Sequence, residues 1–125
     1  YIMKEYTYTP NDANASQVLF KILQETQNGK MIWASNVLTV GIDGNYERAD
    51  GLAFCSSLHG TPIRIYKLYN SYYNTYRYIM ELYNPNDNSV SWRFPENDNI
   101  ILDIYRAIGE KYNSMQDLFN SYLSE

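Results

Sequence analysis

Residues 75–83 read TYRYIMELY, residues 84–88 NPNDN and residues 89–94 SVSWRF, and the way these three stretches pair decides the fold. In the last, Val90, Trp92 and Phe94 alternate with Ser89, Ser91 and Arg93, the period of two of a strand with one buried face. In the first, the even positions Tyr76, Tyr78, Met80 and Leu82 are apolar or aromatic, while the odd positions include Arg77 and Glu81. The residues between them are turn formers, so the whole reads as a β-hairpin. A loop of three or five residues sets Leu82, Met80 and Tyr78 opposite Val90, Trp92 and Phe94 and gathers the apolar groups on one face. A four-residue loop would set Glu81 opposite Trp92. Because a one-residue slip turns every side chain over, the expectation is an odd-numbered loop. Arg77, Ile79, Glu81, Tyr83 and Arg93 then share the other face.

Upstream, residues 51–58 and 61–69 flank His59-Gly60 and read as a second pair of strands, with Pro62 at the start of the later one, where a missing N–H does least harm. Residues 70–74 connect this pair to the hairpin. Residues 31–35 and 37–42 are shorter β-type runs before the turn signal Asp43-Gly44-Asn45, and form two strands or one bent one. At the ends the period changes. Ala15, Leu19, Ile22 and Leu23 define a helix over residues 11–30, capped by Asn11, Asp12 or Asn14 and ended by Gly29. Beyond Pro95, Asn97 to Asn99 offer caps for a helix carrying Ile101, Ile104, Tyr105 and Ile108, which Gly109 is expected to end. Residues 114–117 resemble a capping box, and Met115, Leu118, Phe119 and Tyr122 form the stripe of a last helix. The expected fold is α+β: a mainly antiparallel sheet of about five strands, with an N-terminal helix and two C-terminal helices on one face. Residues 1–125 are expected to form a single globular domain; the first residues, ahead of a natural start at Met3, carry no structural weight.

Composition narrows the function classes. The 125 residues are 45% hydrophobic and 19% charged, a globular balance, and no run approaches the roughly 20 apolar residues of a membrane span. Without a basic-then-apolar leader the chain is expected to be cytoplasmic, with no membrane partner. Cys55 is the single cysteine and His59 the single histidine, which excludes an intrachain disulfide and a zinc site built on paired ligands. The 14 tyrosines and the many asparagines share AT-rich codons, which suits a phage or mobile-element accessory protein such as an inhibitor of host defence.

The net charge is −4, which argues against duplex nucleic acid as partner. Residues 51–80 nevertheless carry Arg64, Lys67 and Arg77 and no carboxylate, interleaved with six tyrosines. Cations among π-faces suit a stacked base and a phosphate, so Arg64, Tyr66, Lys67, Tyr73, Arg77 and Arg93 are the expected ligand-binding residues, for a small anionic, nucleotide-like molecule. The competing reading makes half of these tyrosines core and the cations a solvated sheet face. Cys55 with His59 as a catalytic pair lacks an orienting group, and Asp43, Glu47 and Asp50 fit no calcium-loop spacing. No glycine arrangement cradles phosphates, and neither a cofactor nor a metal is expected. Glu96, Asp98, Asp103, Glu110, Asp117 and Glu125 make an acidic C-terminal face suited to a basic partner or simply to solubility. The expected function is that of a small non-enzymatic binding protein, with a protein partner or a nucleotide-like ligand. The alternatives are a metal-independent enzyme acting on a nucleotide and a protein that forms structural homo-oligomers.

Overall fold

The computed structural model describes residues 12–36, 38, 46–96 and 99–125. Helix α1 spans Asp12–Gln27 and buries Ala15, Leu19 and Ile22, the face its periodicity marks out. Strands β1 (Ala34–Asn36), β2 (Glu47–Leu58), β3 (Thr61–Asn70), β4 (Thr75–Tyr83) and β5 (Val90–Arg93) follow, then helix α2 (Ile100–Leu123). The sheet order is β1-β2-β3-β4-β5, every pair antiparallel, so each strand lies beside its predecessor in sequence. Of the β-type run over 31–35 only its end enters the sheet, as β1. Apart from Leu38, the run over 37–42 and the turn at 43–45 lie outside the described residues.

Local chemistry sets the turns. Leu58 pairs with Thr61 around His59 and Gly60, whose φ values of 47° and 84° make the mirror-image turn that matches the strand twist. At the next turn Asn70 pairs with Thr75, and the Asn70 side-chain oxygen accepts from the Tyr72 and Tyr73 amides, each at 3.0 Å. The β4–β5 connection departs from the expected odd-numbered loop. Tyr83 pairs with Val90, leaving residues 84–89, an even number, between them. A bulge at Ser91 supplies the odd residue instead, so Leu82 faces Trp92 and Glu81 faces Arg93. Trp92 and Arg93 keep the faces that apolar segregation demands, but Leu82 meets Trp92 rather than Val90, and Val90, opposite Tyr83, falls on the other face.

The core lies between one sheet face and both helices. Phe54, Ile63, Ile65, Met80 and Phe94 pack with Leu19 and Ile22 of α1 and with Ile101, Ile104 and Ile108 of α2. Tyr78, Leu82 and Trp92 join its margin. Tyr76, expected on this face, is exposed because it sits beside a turn at the limit of the sheet, and Val90, also expected here, is turned by the bulge to the opposite face, where it pairs with Tyr83 and is exposed. The other face carries a second cluster of Ala53, Tyr66, Leu68 and Ile79, against which Leu38 packs.

The two expected C-terminal helices are one. α2 runs unbroken through Gly109, where an added Cβ would meet nothing within 4 Å. A glycine inside a helix costs about 1 kcal/mol relative to alanine. Continuity outweighs that cost, since it keeps Ile104 and Ile108 in the core while Tyr112 sets its ring edge against Phe54 at 5.9 Å. α2 also reads the sheet's main irregularity. Between the Asp50–Lys67 and Phe54–Ile65 pairs β2 bulges at Gly51 (φ 79°), and Tyr105 donates a 2.7 Å hydrogen bond to the Leu52 carbonyl. Among the described residues no helix is long and apolar enough to cross a membrane.

Candidate functional site: a closed charge network and an open groove

Because Arg64 of β3 and Glu81 of β4 are register partners, their side chains leave the sheet on the same side, opposite the helices. Glu81 is fully buried and saturated. Its Oε2 accepts from Arg64 Nε at 2.7 Å and from the Tyr66 hydroxyl at 3.0 Å, while Oε1 accepts from Arg93 Nε at 3.0 Å and Nη2 at 2.9 Å. Arg64 also donates to Asn88 Oδ1 at 3.2 Å and stacks 4.5 Å from the Tyr83 ring centre, tying the 84–89 loop to the sheet. Further along the face, Arg77 forms a two-pronged pair with Glu47, at 2.7 and 2.8 Å, and reaches Glu96 at 2.7 Å. These groups shape one another's ionisation. The Arg77 hydrogen bond holds the Glu47 carboxyl below its ordinary value. Burial, then the Glu81 charge, raises Tyr66; burial, then the Cys55 thiol, pushes Tyr83 up to about 12.

Four of the six expected ligand-binding residues, Arg64, Tyr66, Arg77 and Arg93, thus come together, and all three arginines already hold carboxylates. Among the described residues no buried side-chain nitrogen or oxygen lacks a hydrogen-bond partner. The other two lie elsewhere. Lys67 leaves the opposite face, 3.7 Å from Asp50 and 4.9 Å from the Tyr76 ring centre. Tyr73 sits in the β3–β4 turn, edge-on to Tyr72 at 4.8 Å. Tyr72 in turn lies 5.2 Å from Tyr46, and Arg48 stands 4.9 Å over Tyr69, so this end of the sheet is an exposed tyrosine cluster.

The remaining candidates disperse. Cys55 lies in mid-strand, its sulfur accepting from Asn36 Nδ2 at 3.4 Å, and three strand steps of roughly 3.3 Å each separate it from Leu58, before the turn that carries His59. Glu47 and Asp50 point to opposite faces, towards Arg77 and Lys67 respectively, and Asp43 lies outside the described residues. No group of three metal-ligating side chains occurs among the described residues.

A groove of about 990 Å³ opens on the helical side, between the end of α1, residues 31–35 and the middle of α2. Its walls are held by hydrogen bonds that tie residues 31–33 to the end of α1 and to β2. Trp33 Nε1 donates to the buried Thr26 hydroxyl at 3.0 Å, the Met31 amide to the Glu25 carbonyl at 3.0 Å, and the Ser56 hydroxyl to the Ile32 carbonyl at 2.7 Å. Phe54, Ile108 and Tyr112 supply apolar lining, with Asp103, Arg106, Glu110 and Lys111 also lining it and Ile32 highly exposed. Beyond the groove α2 continues with every residue from Asn113 onward exposed. Its apolar pattern nonetheless persists. Ile101, Ile108, Met115 and Tyr122 recur at every seventh position, flanked by Ile104, Tyr112, Leu118 and Phe119, so the stripe buried in the first half runs uncovered along the second. Sequence reading found this stripe but not the groove, whose parts are too far apart in the chain for any local pattern to join. No family model, no curated protein and no solved structure matches the chain.

Proposed function

We propose that the chain is a non-enzymatic binding protein that docks an apolar segment of a protein partner in the groove and along the second half of α2. The observation that carries this reading is continuity: Met115 both lines the groove and begins the uncovered stripe of Leu118, Phe119 and Tyr122. An apolar groove beside an apolar helix face is the geometry that accepts an amphipathic helix. An exposed aromatic patch of this kind, rimmed by charged side chains, marks an interaction surface rather than ordinary surface scatter. The nucleotide-like ligand has less support, since the arginines that would receive its phosphate are neutralised by Glu47, Glu81 and Glu96. The reading as a phage or mobile-element accessory rests on residue usage and is compatible with a small docking module.

The test is a photo-crosslinking amino acid at Ile32, on the groove, with His59, an exposed turn residue, as control. Irradiation in cells that make the protein is expected to give a discrete adduct from position 32 that position 59 does not give. Identical adduct patterns from the two positions would contradict the reading.

A further inference from the structure

We propose that the occupant of this surface is a second copy of the chain, joined to the first by antiparallel packing of the outer halves of α2. The inference rests on the groove reading above and names its partner.

An isolated helical segment of this length is marginal in water, and most helix stability in proteins comes from covering an apolar face. The outer half of α2 also contains Asn113, Ser114, Asn120 and Ser121, all weak helix formers, so the helix here depends on burial of its stripe. The stripe is self-complementary. A two-fold pairing centred between Leu118 and Phe119 sets Leu118 against Phe119 and Met115 against Tyr122, apolar on apolar in both copies, as an isologous interface requires. Charges agree with this register. Asp117 meets the neutral Asn120, and Glu125 arrives beside Tyr112 and Lys111, so no like charges oppose one another and an opposite pair closes each end. The same register brings the second copy's Tyr122 and Leu123 to Met115 and Ser114, both of which line the groove.

The area reaches the lower range of specific interfaces. Met115, Leu118, Phe119, Tyr122 and Leu123 are 54, 65, 51, 73 and 80% exposed. At roughly 200 Å² for each large side chain, they present on the order of 600 Å² per copy. Two copies together then cover on the order of 1,200 Å², above the roughly 1,000 Å² that a specific interface needs and below the usual 1,600 Å².

Sedimentation equilibrium at micromolar concentration tests the pairing. The wild type is expected at twice the chain mass, and Phe119→Asp and Leu118→Asp at one chain mass with the Ile101 to Ile108 amides still protected from hydrogen exchange. Using two variants guards against one of them misfolding. Lys111→Glu, which two-fold symmetry places at both ends, is expected to weaken dimerisation about fivefold at low salt, the size of two exposed charge pairs, and adding Glu125→Lys to restore it. A wild type at one chain mass throughout, or a dimer that survives both aspartate variants, overturns the pairing. If the wild type is monomeric while Ile32 still gives a discrete adduct with a different protein, the pairing falls and the groove reading stands; a monomer with no adduct ends both.

Discussion

Glu81 is where the cost of burying charge is met most directly. Two guanidinium groups and a tyrosine hydroxyl share one fully buried carboxylate, and such an arrangement holds only while every member is present. Removing one partner leaves an uncompensated buried charge, at about 3–5 kcal/mol, whereas replacing a whole pair by apolar groups is often close to neutral. Glu81→Leu is therefore expected to lose about 3 kcal/mol, at the low end because Arg93 can still reach water. The double variant Arg64→Met with Glu81→Leu should lose less than Glu81→Leu alone. Urea unfolding of the wild type, Arg64→Met, Glu81→Leu and the double variant checks this, and simple additivity of the two substitutions would show that the network is not coupled. The network also shows what a sequence window conceals. Residues 51–80 look basic because their neutralising carboxylates, Glu47, Glu81 and Glu96, lie outside that stretch and reach it only through strand pairing. Placing Arg77 and Arg93 on one face was legible from alternation; that their charges are already satisfied was not.

At the scale of elements, period identified α1 and, Val90 apart, the two faces of the β4–β5 hairpin, because burial imposes the same alternation on sequence and structure, and the His59-Gly60 signal placed the β2–β3 turn. It failed where continuity competed with a local signal. Ser91 took up the odd residue as a bulge rather than in the loop, which keeps Glu81 and Arg93 together on the charged face. Gly109 looked like a helix end, yet the residues on either side of it are anchored in the same core, and tertiary packing overrides a propensity cost near 1 kcal/mol. Since an added Cβ at Gly109 would meet no atom within 4 Å, Gly109→Ala is expected to stabilise the protein by about 0.5–1 kcal/mol. A rise in thermal midpoint would confirm that the position is ordinary helix interior. A fall would mean that glycine is required there for a reason the backbone does not show.

In the whole molecule, the two sides of the sheet do different work. The charged side is internally complete, with each arginine paired to a carboxylate. The helical side leaves a groove and a projecting amphipathic half-helix, and that incompleteness is what supports a docking role. The groove could not be read from sequence, because Thr26, Trp33, Phe54 and Tyr112 converge on it from four separate segments. The stripe could be read, though not that it would be left without cover.

Amide hydrogen exchange of residues 113–123 tests the docking claim most directly, because a covered helix exchanges slowly and a bare one frays. Exchange in this segment is expected to slow as wild-type concentration rises, and to be fast at every concentration in Phe119→Asp, with the Ile101 to Ile108 segment protected in both. Fast, concentration-independent exchange in the wild type, indistinguishable from that of Phe119→Asp, would contradict the claim that a second copy covers the outer half of α2.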